Sequence, residues 1–146
     1  MPSGGQKRND RVKEIAYQFN TKSIEPKDMK LNINGKIYTT NPDTSTRVPV
    51  FKGVSDQDVI AYFKELAGAD KLPIPKIIPR MKDLDGNVGK VWAVKPADGP
   101  LKGSTLNLRN FSSSQHHTNA KFTIEIVKPN QEISGIKNSI EIKFER

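Results

Sequence analysis

The polar residues best suited to chemistry lie within positions 104–127, in two runs where polar and apolar side chains alternate. Arg109 in the first run can bind a phosphate through two hydrogen bonds, and Lys121 in the second can neutralise it as a point charge. Thr123 can donate a hydrogen bond, and Glu125 can accept a proton. Together these groups suit phosphate binding with a proton transfer beside it.

A polar loop joins the two runs and contains both histidines of the protein, His116 and His117. Imidazole titrates near neutral pH, so either one is a candidate acid or base, although histidines in polar loops are often only solvated. Nearby serines can donate hydrogen bonds to phosphate oxygens, and a tryptophan can stack on a nucleobase. The competing interpretation places this tryptophan in the core. The candidates for RNA binding are Ser112, Ser113, Ser114, Lys90 and Trp92.

Metal-free cleavage of RNA needs few catalytic groups, because the attacking group is the substrate's own 2′-hydroxyl. The protein supplies a base, an acid, and cations or hydroxyls around the phosphate.

Adjacent histidines point opposite ways in a strand, and a zinc site would need carboxylates from elsewhere. There is no cysteine, and no phosphate-binding glycine motif or esterase motif. We therefore predict no metal and no cofactor. The catalytic candidates are Arg109, Lys121, Thr123, His116, His117 and Glu125.

Length and charge narrow the class of protein. A chain of 146 residues with 34% hydrophobic content suits one domain with its own core. The formal charge of +8, from 24 basic and 16 acidic residues, favours a polyanion or an acidic protein as partner. No run approaches the roughly 18 apolar residues of a membrane helix, so no stable membrane association is predicted.

The two runs of the opening stretch have the period of half-buried strands. Leu106 and Leu108 fall on one face of the first run, and the second alternates in the same way. Paired as a hairpin, the runs would turn Arg109 and the polar residues of the second run, Lys121 included, to one surface. A structural alternative stays open, because polar strand faces are commonly just solvated and Arg109 can pair with Glu125 across the hairpin.

The front of the chain predicts two helices and a hairpin. Residues 1–9 are expected to be a disordered tail, followed by a short amphipathic helix capped by Asp10. Asn34-Gly35 between apolar flanks predicts a two-residue hairpin turn. Ser55 has the position of an N-cap and Gly68 that of a left-handed stop, which predicts a helix over about residues 55–67.

The back of the chain predicts strands. Three prolines in residues 71–79 indicate an extended connector, and alternation predicts strands near 88–94 and 139–144. The expected fold is α+β, with N-terminal helices packed on a C-terminal antiparallel sheet of about four strands. Residues 10–146 would form a single domain, with a mainly helical front part with one hairpin (10–72) and the antiparallel sheet (73–146).

Four segments carry a family resemblance: LRNFSSS (108–114), followed by Thr118, then FTIEI (122–126), EIKF (141–144) and SDQDVIAYFKELAG (55–68). They resemble the C-terminal toxin domains of bacterial polymorphic toxins, as found in contact-dependent growth inhibition and Rhs-type proteins. The resemblance covers residues 50–146 and matches Arg109, the serines of 112–114 and Thr123, but neither histidine.

The resemblance implies an antibacterial toxin, delivered into a neighbouring bacterium and neutralised at home by a cognate acidic immunity protein. Many such domains are ribonucleases, often acting on tRNA, with a fold shared by barnase, EndoU, colicin and RelE nucleases. The chain would be the C-terminus of a larger secreted or surface-displayed protein and would act in the target-cell cytoplasm. It lacks the VENN motif, so we expect an excised C-terminal fragment beginning at Met1. The alternatives are a DNase or deaminase toxin, and a non-catalytic module that binds nucleic acid or protein.

Overall fold

The structure, a computed structural model, describes residues 3–146. The helices are α1 (Ser3–Asn20), a 3-10 turn (Pro26–Asp28), α2 (Asp56–Ala67), α3 (Gln115–Thr118) and α4 (Gln131–Ser134). The strands are β1 (Lys30–Ile33), β2 (Lys36–Thr39), β3 (Val50–Phe51), β4 (Lys76–Lys82), β5 (Val88–Val94), β6 (Thr105–Arg109), β7 (Ala120–Val127) and β8 (Ile140–Glu145).

Helix α1 begins at Ser3, earlier than the start expected at Asp10. It takes in most of the segment expected to be a disordered tail, while residues 1 and 2 lie outside the described part. Two contacts hold this first section: Gln6 donates to Asp10 at 2.9 Å, and Arg8 forms an ion pair with Asp98 at 3.2 Å. The distant ion pair is a tertiary contact that local sequence patterns do not reveal.

The hairpin predicted at Asn34-Gly35 is confirmed. Both residues have positive φ, 53° and 82°, as a type I′ turn requires. Strands β1 and β2 are antiparallel, with Leu31 opposite Tyr38, and both side chains are buried.

Helix α2 confirms the prediction for residues 55–67. The Ser55 hydroxyl accepts a hydrogen bond from the amide of Asp58 at 3.1 Å, and Gly68 ends the helix with φ of 68°. Because both ends are fixed by local chemistry, the sequence located them within one residue.

The main sheet has six strands in the order β3-β8-β7-β6-β5-β4. All neighbours are antiparallel except β3 and β8, which are parallel. The α+β class is confirmed, but the expectation of a purely antiparallel sheet of about four strands was wrong. Strand β3 has only two residues, too few to show a period in the sequence.

Strand β4 lies where a proline-rich connector was expected. Pro75 precedes it and Pro79 lies within it, next to a shift in register between Ile78 and Lys82. An edge strand tolerates proline, because an amide on its outer side has no partner to lose. The prolines therefore mark the edge of the sheet.

The helices cover one face of the sheet. Val12 and Ile15 of α1 and Phe63 of α2 belong to the same buried cluster as the inward-facing residues of the central strands. Those strand residues are Leu106, Leu108, Ile124, Ile126, Ile142 and Phe144. Since neighbouring residues of a strand point to opposite faces, the polar residues between them lie on the face away from α1 and α2.

Candidate functional site

Two adjacent cross-strand rows carry the polar residues of the central strands. Arg109, Thr123 and Lys143 are opposite one another on β6, β7 and β8. The next row holds three more polar residues in the same register. We call the two rows the polar cluster; its members are Arg109, Thr123, Lys143, Asn107, Glu125 and Glu141.

The charges of the polar cluster form a connected network. Arg109 Nε lies 3.3 Å from Glu125 Oε1, too poorly aligned for a hydrogen bond, and Arg109 Nη2 lies 3.6 Å from Glu141 Oε1. Lys143 Nζ lies 3.4 Å from the other oxygen of Glu141, and Asn107 donates to Glu125 at 3.4 Å. The side chain of Glu141 is 37% exposed and that of Arg109 is 19% exposed, so the network reaches solvent mainly through Glu141.

Thr123 lies between the two cations and is fully buried. Its hydroxyl has no hydrogen-bond partner among residues 3–146. An unsatisfied buried hydroxyl costs about 1–3 kcal/mol. A ligand oxygen that displaced the flanking side chains would remove this cost, so the row can accept an anion between its two cations.

Lys143 is the most buried charge of the polar cluster, with 5% of its surface exposed. Its amine donates to Ser112 Oγ at 2.6 Å, and Ser112 Oγ lies 3.1 Å from Ser114 Oγ. Burial lowers the pKa of Lys143, and the nearby charge of Arg109 lowers it further, while Glu141 opposes both. The cluster therefore holds an ammonium that gives up its proton more readily than an exposed lysine.

The position of Arg109 depends on Phe111 and Gly89. The guanidinium carbon lies 5.4 Å from the centre of the Phe111 ring, a cation-π contact. A Cβ added at Gly89 would lie 3.0 Å from that ring and 2.9 Å from Met81 Cβ. Only glycine lets the ring sit close to β5 beneath the guanidinium.

Lys121 does not join the polar cluster, contrary to expectation. A register shift between Ala120 and Phe122 interrupts the alternation of β7. The Lys121 amine instead donates to the carbonyl of Val54 and forms an ion pair with Asp56, each at 2.8 Å. It ties β7 to the start of α2.

The predicted RNA-binding residues of β5 lie on the opposite face from Arg109. Trp92 is opposite Leu108 and packs against the core, and Lys90 shares its face by alternation. Val91 is the residue of β5 that stands opposite Arg109. Trp92 thus takes the core position weighed as its alternative, and neither Trp92 nor Lys90 lies on the face that carries Arg109.

The histidines and serines of 112–118 lie in the connection between β6 and β7. His116 and His117 are exposed on the single turn of α3, and neither imidazole has a hydrogen bond within residues 3–146. Ser113 is exposed, whereas Ser112 is buried against Lys143. The structure brings Ser112, Arg109, Thr123 and Glu125 together, and within residues 3–146 neither imidazole is hydrogen-bonded to them.

No family model, curated protein or solved structure matches this chain. Within residues 3–146, no three metal-binding side chains are grouped to hold an ion, and no helix is long and apolar enough to span a membrane. An inference about function therefore depends on the polar cluster and on the charge of the chain.

Lys143 and Glu141 were missed among the site residues, although a signal for them was present. Ile140, Ile142 and Phe144 were expected on the inner face of the last strand, and all three are buried. The residues between them must then face outward. Alternation in EIKF was thus enough to turn Glu141 and Lys143 to the outer face, and the pairing of β8 with β7 then placed them beside Thr123 and Glu125.

The lowered pKa of Lys143 predicts a pH dependence of stability. Its pKa is lower in the folded than in the unfolded state, so between the two values the unfolded state binds more protons. The contribution of Lys143 to the free energy of unfolding therefore rises with pH, by at most about 1.4 kcal/mol per pH unit. We expect the free energy of unfolding of the native protein, relative to that of Lys143→Met, to increase from pH 7 to pH 10. Urea titrations of both proteins measure this difference; a constant or falling difference would contradict the assignment.

Proposed function

We propose that this domain is a metal-independent endoribonuclease whose active site is the polar cluster. The supporting observation is the network of Arg109, Lys143, Glu125 and Glu141 on the sheet face away from α1 and α2, around the unpaired hydroxyl of Thr123. Cations for the phosphate and a carboxylate for the proton are the groups that RNA self-cleavage requires. The charge of +8 favours a polyanionic substrate.

In the proposed reaction, Glu125 takes the proton of the 2′-hydroxyl, and the 2′-oxygen attacks the phosphorus atom. The bond to the 5′-oxygen breaks and that oxygen takes a proton from an acid, for which Lys143 and the two imidazoles of α3 are the candidates. Arg109 and Lys143 neutralise the charge that grows on the non-bridging oxygens. The products are a 2′,3′-cyclic phosphate and a 5′-hydroxyl end.

The biological setting of the proposal comes from the family resemblance. We propose that the domain is the toxin end of a larger secreted or surface-displayed bacterial protein, that it cleaves tRNA in the target-cell cytoplasm, and that a cognate immunity protein neutralises it. That partner should be acidic where it meets the polar cluster, because it competes with a polyanion and complementary charge speeds its capture.

A non-catalytic binding module is the second candidate. It is favoured by the pairing of each cation of the polar cluster with a carboxylate, an arrangement that also serves to stabilise a sheet. In this case the polar cluster would bind nucleic acid or protein without catalysing a reaction.

Incubation of the purified protein with tRNA in EDTA tests the proposal. We expect fragments that end in a 2′,3′-cyclic phosphate, identified by mass spectrometry. Intact tRNA at micromolar protein would refute the ribonuclease, and retention of that tRNA would favour the binding module. Cleavage of DNA that requires a divalent metal would indicate a DNase, and base modification without strand breaks a deaminase.

A further inference from the structure

The row that holds Arg109 continues to the free edge of the sheet. Lys76 of β4 is opposite Val91 of β5, which is opposite Arg109, then Thr123, then Lys143. Directly opposed residues of antiparallel strands point to the same face. One row therefore carries a cation on every second strand, at Lys76, Arg109 and Lys143.

The β4 side of this face carries a cation and lacks carboxylates. Neither β4 nor β5 contains an acidic residue. The register places Lys76 on this face, whereas Lys82 is opposite Val88, which shares the face of Lys90. Lys76 is exposed and has no ion pair within residues 3–146. Arg109 and Lys143 share their charge with glutamates, whereas Lys76 is free to bind an added anion.

The other end of the row is closed. Val50 stands beside Lys143 in the register and is fully buried. The loop before it folds over this edge, with Ser45 Oγ accepting from Val50 N at 2.8 Å and Asn41 donating to Glu145 at 3.0 Å. A long ligand that follows this row from the polar cluster therefore extends toward β4 and not past β8.

The spacing of the two cations suits successive phosphates. Strands lie about 4.8 Å apart, so the backbones at Lys76 and Arg109, two strands apart, are separated by about 10 Å. Arg109 is held beside Glu125 and over the Phe111 ring, whereas Lys76 is exposed and has no ion pair within residues 3–146, so each can bind a phosphate of its own. Val91 between them is partly exposed, and the neighbouring Ala93 is exposed; both are uncharged and can contact a ribose or a base.

We propose that the substrate is an extended single strand of RNA lying across the strands, with the scissile phosphate at the polar cluster and a neighbouring phosphate at Lys76. This inference depends on the proposed ribonuclease function and adds to it the form of the substrate and a residue that selects for length. A dinucleotide fills only the polar cluster, whereas an oligonucleotide also reaches Lys76.

The test compares Lys76→Gln with Lys22→Gln, an exposed lysine in the turn after α1. The substrates are a dinucleotide with one phosphate and a single-stranded RNA heptamer. For Lys76→Gln we expect kcat/KM to fall about threefold to tenfold on the heptamer and to stay unchanged on the dinucleotide. The salt dependence of log kcat/KM on the heptamer should weaken by about 0.7, the value for one phosphate contact. Lys22→Gln should match the native protein on both substrates.

Equal losses on both substrates, or no loss on the heptamer, would overturn the proposal. If the native protein cleaves neither substrate, the tRNA assay decides whether the ribonuclease function itself fails. Fluorescence anisotropy with the labelled heptamer then tests whether single-stranded RNA binds across the strands. Lys76→Gln must then weaken binding relative to Lys22→Gln. An RNA duplex that displaces the labelled heptamer as well as single-stranded RNA does would also contradict binding of an extended single strand.

Discussion

Replacing Arg109 with alanine is expected to lower kcat/KM for tRNA cleavage by about two to three orders of magnitude, the range found when one donor to a transition-state oxyanion is removed. Arg109 is the only arginine of the polar cluster, and it lies beside the unpaired hydroxyl of Thr123. Its guanidinium can donate two hydrogen bonds to a phosphate, which lysine cannot reproduce. Arg109→Lys should therefore recover only part of the activity.

Initial rates at several tRNA concentrations measure this effect, and Arg47→Ala is the matched control. Arg47 is exposed and has no ion pair within residues 3–146, so its loss should change the rate less than threefold. Loss of Arg109 leaves Glu125 and Glu141 without their shared cation, so each variant needs a thermal unfolding curve. Full activity in folded Arg109→Ala would refute the assignment of the polar cluster as the active site.

Replacing Glu125 with glutamine is expected to lower kcat by about two to four orders of magnitude, the usual contribution of general acid–base catalysis. The amide has almost the same shape and still accepts hydrogen bonds, but it cannot take the proton of the 2′-hydroxyl. Initial rates at saturating tRNA measure this loss in kcat.

Glu141→Gln provides the comparison, because Glu141 lies in the same row and contacts both cations. If Glu141 only neutralises Arg109 and Lys143, this variant should keep most of kcat and show an unchanged or lower KM. The reverse result, with Glu141→Gln inactive and Glu125→Gln active, would assign the base to Glu141. Retention of kcat in both variants would exclude a carboxylate base.

The sequence by itself determined the elements whose limits depend on neighbouring residues. Ser55 and Gly68 fix the ends of α2, and Asn34-Gly35 fixes the first hairpin. Alternation located β5 at the residues predicted for it, and it separated the buried from the polar faces of β6 and β8. Caps, turns and a period of two are local properties, so they can be recognised without knowing what an element packs against.

The tertiary structure decided what depends on register between distant strands. It placed Val91 opposite Arg109 and Trp92 opposite Leu108, and it added β4 as an edge strand despite its prolines. A single bulge in β7 turned Lys121 toward Asp56, and pairing with β8 put Lys143 in its place. A shift of one residue exchanges the two faces of a strand. Which polar side chains meet in a site is therefore set by pairing across the sheet, which no local pattern in the chain specifies.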